Sequence, residues 1–290
     1  MLRAISLIVF LFSLYSCQQH PNNTLFIEKS ESETNIAFQN KLKTSPDLNI
    51  LTYLYYYNGA GLASGDFNND GLEDLYFIAN QNSNKLYLNK GDLKFKDITT
   101  GDLVDDKGWS TGVSTVDINN DGLLDIYICK VGDYRGIKGE NKLLINQGLD
   151  TNGTPSFENE AQKYNLDIVS FSTQTVFFDY DLDGDLDMFL LNHSVHPSGN
   201  YGKGSLRTTI DSLSGDRLYK NDKGKFIDVS LESKIFQGKI GYGLGVTASD
   251  INNDGYPDLY ITNDFFENDY LYINQKDGTF KEVISANEKN

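Results

Sequence analysis

Disulfide chemistry is the first thing this sequence lacks the means for. It holds two cysteines, Cys17 and Cys129, too few and too differently placed for a disulfide framework. Cys129 lies inside the apolar run Ile126-Tyr127-Ile128-Cys129, where a small buried thiol is the ordinary outcome. Positive charge is also scarce: 25 Lys and Arg face 41 Asp and Glu, a formal balance of −16, and no basic stripe of the kind a nucleic acid requires is present. Beyond the N-terminus there is no helix-length amphipathic period. Tryptophan, methionine and proline are few, whereas tyrosine (18), phenylalanine (17) and glycine (26) are plentiful, a composition that favours pleated strands joined by tight turns. With 290 residues and 39% hydrophobic content, the chain can bury a substantial core as one large domain or as a repeat array.

Arg3 precedes a single apolar run, Ala4 to Leu14, that ends in Leu14-Tyr15-Ser16-Cys17. The run is too short to cross a bilayer as a helix. It resembles a bacterial lipoprotein signal, in which a small residue precedes a cysteine that becomes lipidated. An ordinary secretory signal is the alternative, although no small-x-small cleavage pattern stands out around Ser16. Either reading exports the protein. The resemblance implies a signal over residues 1–17, lipidation at Cys17, a polar tether over residues 18–24, and a chain held at the bacterial cell surface or outer membrane without a spanning helix.

Internal repetition carries the clearest signal. A nonapeptide recurs at 66–74, 117–125, 179–187 and 250–258, and its starts are 51, 62 and 71 residues apart. The copies read Asp-Phe-Asn-Asn-Asp-Gly-Leu-Glu-Asp, Asp-Ile-Asn-Asn-Asp-Gly-Leu-Leu-Asp, Asp-Tyr-Asp-Leu-Asp-Gly-Asp-Leu-Asp and Asp-Ile-Asn-Asn-Asp-Gly-Tyr-Pro-Asp. Calcium is a hard cation that takes about six to eight oxygen ligands, and positions 1, 3 and 5 of a tight loop can converge on one. Glycine at position 6 permits the sharp turn. Position 7 can offer its carbonyl, and the aspartate at position 9 can close the shell. The expected ligands are therefore Asp66, Asn68, Asp70 and Asp74; Asp117, Asn119, Asp121 and Asp125; Asp179, Asp181, Asp183 and Asp187; and Asp250, Asn252, Asp254 and Asp258. About four Ca²⁺ ions are expected, with the tightest site in the third loop, where position 3 is a carboxylate.

One such string could be an Asx turn without metal. Four copies in register, each with a carboxylate three residues after the glycine, favour the cation. Fifteen of the acidic residues lie in these loops, and four divalent ions would halve the formal charge. The EF-hand is excluded, because its twelfth residue is a bidentate Glu and position 12 here is Phe77, Ile128, Leu190 or Ile261.

The flanks define the repeating unit. A strand rich in small residues precedes each loop (residues 59–64, 109–116, 171–178 and 241–249), and an apolar strand follows it (75–78, 126–129, 188–191 and 259–262). A third strand lies at 84–89, 141–146, 216–221 and 269–274, and a fourth at 95–98, 157–160, 226–229 and 280–283. The pattern predicts an all-β chain of four-stranded antiparallel sheets. With its loop, aliphatic-aromatic strand and Leu-Tyr-x-Asn segment, the sequence resembles the FG-GAP and VCBS-type repeats of β-propellers, including extracellular bacterial relatives of cartilage acidic protein. The resemblance covers residues 25–285, leaves 286–290 as a tail, and implies a β-propeller with four recognisable blades.

Residues 25–28, Leu-Phe-Ile-Glu, also resemble an outer strand, which gives five outer strands for four sets of the other three. Either the array is incomplete or four blades close with one strand to spare. Antiparallel order places the acidic loops on one face and the long inserts 131–140 and 192–215 on the other. His193 and His196 read as polar loop residues, since a catalytic zinc normally has three protein ligands. Tyr53, Tyr55, Tyr56 and Tyr57 read as strand packing rather than a sugar-stacking platform. The expected function is an exported calcium-binding module for an extracellular protein or glycan partner. The alternative is a carbohydrate-active enzyme or glycan-binding accessory, for which no paired-carboxylate arrangement can be assigned.

Overall fold

The computed structural model describes residues 25–195 and 204–285. Its sixteen strands form four antiparallel sheets of four, each in simple meander order. Blade 1 comprises β1 (Gly61–Gly65), β2 (Asp74–Ile78), β3 (Lys85–Asn89) and β4 (Phe95–Asp97). Blade 2 comprises β5 (Ser110–Val116), β6 (Asp125–Lys130), β7 (Lys142–Leu149) and β8 (Pro155–Asn159). Blade 3 comprises β9 (Ser172–Phe178), β10 (Asp187–Asn192), β11 (Arg217–Asp222) and β12 (Lys225–Asp228). Blade 4 comprises β13 (Gly243–Ser249), β14 (Asp258–Asn263), β15 (Tyr270–Asn274) and β16 (Phe280–Glu282). The architecture is that of a β-propeller.

The residue pattern explains the burial. Every residue of β6 and of β10 is buried, as a strand covered on both faces requires, and both read as nearly continuous apolar runs. The innermost strands β1, β5, β9 and β13 begin around a central cavity of about 380 Å³, bordered by Ala60, Trp109, Thr111, Thr173, Gln174 and Leu244. There β5 and β9 touch so closely that a Cβ on Gly112 would lie 2.1 Å from the Thr173 carbonyl oxygen. Only glycine fits that approach. The hydroxyls of Thr111 and Ser114 donate across the same seam to the Ser172 and Thr175 carbonyls, at 2.7 and 2.9 Å.

Three apolar cores join consecutive blades. Phe67, Tyr76 and Leu86 of blade 1 pack on Val113, Ile126 and Ile128 of blade 2. Ile118, Tyr127 and Leu143 of blade 2 pack on Met188, Leu190 and Tyr219 of blade 3. Tyr180, Phe189 and Leu218 of blade 3 pack on Leu259, Ile261 and Tyr272 of blade 4. Among the described residues no such core joins blade 4 to blade 1, and Leu25–Glu28 enter none of the four sheets.

The tyrosine run differs in form from the expected strand packing. Leu54–Tyr57 is a 3-10 turn, and Tyr53, Tyr55 and Tyr56 form a fourth apolar cluster with Trp109, Val131 and Phe171. The adjacent Tyr55 and Tyr56 can share one core here because a tight turn, unlike a strand, does not send neighbours to opposite faces. Leu54 and Tyr57 stay exposed.

Candidate metal centre

Each acidic loop joins the first strand of its blade to the second, and backbone geometry accounts for its sequence. Position 4 is left-handed in all four copies, at Asn69, Asn120, Leu182 and Asn253, with φ between 55° and 62°. The glycine at position 6 follows with φ between 83° and 96°. Asparagine tolerates the left-handed region well, which explains three of the four residues at position 4. Leu182 is the exception.

Hydrogen bonds then lock the loop. The position 1 carboxylates accept the backbone N–H groups of positions 5 and 6: Asp66 from Asp70 and Gly71 at 3.0 and 2.7 Å, and Asp250 from Asp254 and Gly255 at 2.9 and 2.8 Å. Asp117 and Asp179 do the same. At position 5, Asp70, Asp121, Asp183 and Asp254 each accept the N–H of position 7. Asn68 and Asn119 accept the position 5 N–H through Oδ1. Asn252 lies at the matching point of the fourth loop, where its backbone N–H reaches Asp258.

The ninth-position aspartates have a duty that needs no cation. Asp74, Asp125, Asp187 and Asp258 are fully buried. Their Oδ2 atoms accept the N–H of position 2, at Phe67, Ile118, Tyr180 and Ile251, at 3.0 to 3.1 Å. Their Oδ1 atoms accept the N–H of Asn89, Asn146, Asn221 and Asn274 on the third strand, all at 2.8 Å. Burial pushes the carboxyls of Asp74 and Asp125 up to about 6 and that of Asp187 up to about 7. The regularity of position 9, which favoured metal on sequence grounds, is thus also explained by a clasp between loop and third strand. Each oxygen keeps a further lone pair for a cation.

The asparagine of Leu-Tyr-x-Asn is the partner that loop spacing alone does not reveal. Its side chain also ties blades together: Asn146 Nδ2 donates to the Phe67 carbonyl of blade 1 at 2.9 Å, and Asn274 Nδ2 to the Tyr180 carbonyl of blade 3 at 2.8 Å. Only its recurrence in each third strand hinted at such a role.

Among the described residues, one loop brings carboxylates together as a cation would require. Oxygens of Asp179, Asp181 and Asp187 lie within 4.8 Å of one another, and Asp181 Oδ1 is buried without a hydrogen-bond partner. This donor set of hard oxygens fits calcium. The Lys220 ammonium approaches from the third strand, bonded to Asp181 Oδ2 and 3.2 Å from Asp183 Oδ2. It supplies positive charge where the carboxylates crowd. In the fourth loop Lys276 stands 3.4 Å from Asp254.

Residues 66–128 and 250–288 match the model of the FG-GAP-like repeat. The matched residues are similar to FG-GAP-like repeats. The matched spans take in the first, second and fourth acidic loops, and the sheet topology shows the same unit at blade 3. The chain is also 28% identical over 214 residues to cartilage acidic protein 1 of Xenopus tropicalis, covering 71% of this chain and 29% of that protein. With cartilage acidic protein 1 of Homo sapiens it shares 24% over 212 residues, covering 71% and 28%. The chain therefore spans less than a third of the length of these curated relatives.

The acidic loops lie on one face, and the ends of the second strands and starts of the third strands lie on the other. His193 is not the polar loop residue expected from sequence. It is buried directly after β10, with Nε2 3.1 Å from the Tyr53 hydroxyl and Nδ1 3.0 Å from Thr173 Oγ1. Burial lowers its pKa to about 3 and keeps it neutral. His196 and Cys17 lie outside the described residues. A cavity of about 650 Å³ opens on the insert face between Asp105, Lys130, Lys138, Glu140 and Lys142. At its base the buried Lys130 is ion-paired with the buried Asp105, which Lys142 also reaches at 3.0 Å.

Proposed function

We propose that this chain is an exported binding module whose FG-GAP-like loops hold calcium, and whose opposite, insert-bearing face meets an extracellular protein or glycan. A propeller of such repeats suits an interaction module, because rigid sheets hold variable connectors in fixed relative positions. The observation that carries the calcium reading is the convergence of Asp179, Asp181 and Asp187 beside the buried, unpartnered Asp181 oxygen. A cation there would complete the carboxylate's coordination and offset repulsion among five aspartates in nine residues. The other three loops share its backbone and offer one ligand carboxylate fewer.

In this reading the ions are structural. They hold the first strand of each blade to the second, while the connectors do the recognising. Lipidation at Cys17 would keep the module at a bacterial membrane surface through residues 18–24. The described residues contain no helix long and apolar enough to cross a membrane.

Titration calorimetry and thermal melting in calcium and in chelator test this. A ligand bound only by the folded state stabilises it by RT ln(1 + [L]/Kd), about 2.7 kcal/mol at a hundredfold excess over Kd. Calcium is expected to raise Tm by several degrees, with the tightest site lost in Asp181→Ala. Identical melting curves in calcium and in chelator would sink the structural role.

A further inference from the structure

Blade 2 departs from the repeat at two charged positions, and both line the cavity of about 650 Å³ on the face opposite the acidic loops. In blade 1 the third strand begins with Lys85, which pairs with Asp97 of the fourth strand at 2.8 Å. Blade 3 does likewise, with Arg217 3.5 Å from Asp228. Register fixes the equivalence: Asp97, Asp228 and, in blade 4, Glu282 stand opposite Tyr87, Tyr219 and Tyr272, whereas in blade 2 Asn159 stands opposite Leu144. Blade 2 keeps the cation, Lys142, and has lost its carboxylate.

The second departure adds a cation. The fifth residue after the ninth-position aspartate is Ala79, Asn192 and Asn263 in blades 1, 3 and 4, and Lys130 in blade 2. Its ammonium donates to Asp105 and to the Lys107 carbonyl. Lys142, with no carboxylate in its own sheet, reaches the same Asp105 at 3.0 Å. Two ammonium groups thus share one buried carboxylate. Glu140 also acts on Lys130, but it is exposed, where solvent screens its charge. The side chains of Asp105 and Lys130 are 2% and 3% exposed and that of Lys142 is 21% exposed, so a ligand meets the unbalanced positive charge at Lys142.

A mostly buried site with an excess of one charge favours a ligand of the opposite sign, and the rest of the lining narrows its chemistry. Asn159 Oδ1 accepts the Leu143 and Ala161 N–H groups, each at 3.3 Å, which leaves its Nδ2 group to donate to a ligand. Asp106, Glu140 and Asp133, the last paired with Lys138, are exposed around the opening. They can accept hydroxyl groups, and they repel densely charged anions such as an acidic peptide. Val104 and Val169, 39% and 47% exposed, offer apolar surface to the C–H face of a sugar ring. Lys107 and Lys138 also line a second cavity of about 600 Å³, bordered by Gln81 and Arg135, which is room for another ring. We infer that this cavity binds a uronic acid residue of an acidic polysaccharide, its carboxylate on Lys142 and Asn159 and its hydroxyls on the surrounding carboxylates. The inference rests on the proposed role of this face in binding an extracellular partner, and it names that partner's chemistry.

Titration calorimetry of the full chain in calcium tests this, with mono- and trisaccharides of galacturonate, glucuronate and guluronate, their neutral counterparts, and an oligoglutamate. At least one uronate trisaccharide is expected to bind at least about tenfold more tightly than its neutral counterpart, and more tightly than its own monomer. Asn159→Asp gives blade 2 the residue of blades 1 and 3 at an exposed position, so it should weaken that binding at least about tenfold while Tm stays unchanged. Lys142→Met should weaken it as much. The inference is overturned if no uronate binds, if the trisaccharide gains nothing over the monomer, if Asn159→Asp leaves the affinity unchanged, or if oligoglutamate binds as tightly. Neutral sugars that bind equally well would overturn it too, yet would uphold the broader reading of this face as a partner-binding surface. The calcium reading is decided separately, by the melting curves.

Discussion

Asp216 is a buried carboxyl group at a position where blades 1 and 2 carry an amide. It opens the third strand of blade 3 at the point where blades 1 and 2 have Asn84 and Asn141, whose Nδ2 groups donate to the hydroxyls of Tyr76 and Tyr127, each at 3.1 Å. In blade 3 the tyrosine position is Phe189, which has no hydroxyl. Asp216 Oδ1 accepts the Asn192 N–H at 2.9 Å, while Oδ2 is buried without a partner. Burial drives its pKa up to about 7, against an unfolded value near 3.9.

Because the folded-state value is the raised one, the folded protein binds the extra proton between these limits. Stability is therefore fully present below about pH 4 and is lost as pH rises toward 7. At 1.36 kcal/mol per unit, the loss by pH 8 is of order 4 kcal/mol, of which about 3 kcal/mol falls above pH 4.5. Asp216→Asn keeps the acceptor for Asn192 and stays neutral throughout, but introduces an N–H₂ group that costs about 1–3 kcal/mol if no acceptor is found. Its stability relative to wild type should rise by about 3 kcal/mol between pH 4.5 and 8, which for a chain of this size is a swing of roughly 6–12 °C in the Tm difference. Parallel melts of the two proteins in calcium and in chelator measure it, since the loop carboxylates titrate equally in both and cancel. A Tm difference that does not change with pH would refute the reasoning.

Leu182→Asn should stabilise the third loop by about 1 kcal/mol, because Leu182 is half-exposed and holds a left-handed backbone at φ 62°; chemical denaturation should show the gain, and a loss would mean that the leucine packs in a way its exposure conceals. Lys220→Met removes the ammonium beside Asp181 and Asp183, so calcium affinity should rise several-fold by calorimetry while the chelated protein melts lower. Asn146→Ala deletes both the hydrogen bond to the Phe67 carbonyl of the neighbouring blade and that to the Leu124 carbonyl of its own loop, and should cost about 1–3 kcal/mol in urea unfolding. Alanine at the exposed Asn69 instead keeps every clasp of the ninth-position aspartate and should cost less.

Most of the fold was legible because it rests on local chemistry that repeats. The Asp-x-Asn-x-Asp-Gly spacing specifies a left-handed residue, a glycine turn and a carboxylate that accepts two successive amides, wherever it occurs. The apolar run that follows position 9 specifies a strand buried on both sides. Four such copies in register therefore marked sixteen strands and the face on which the loops lie. The tyrosines at 53–57 and His193 were harder to read. Their roles depend on Trp109, Phe171 and Thr173, far away in sequence, and nothing in the order of residues shows that a tyrosine run is a turn or that a histidine beside a long insert is sealed in a core.

The same division runs through the acidic loops. By itself the sequence determined their number, backbone path and supply of oxygen atoms, because these depend on residues within nine positions of one another. Tertiary structure decided what each oxygen does. Asp74, Asp125, Asp187 and Asp258 clasp a third strand that lies beyond their own loop, and among the described residues only Asp179, Asp181 and Asp187 are drawn into one cluster. It also decided that four blades share three cores and leave Ile251 uncovered, since whether an apolar residue is buried depends on the sheet that packs against it.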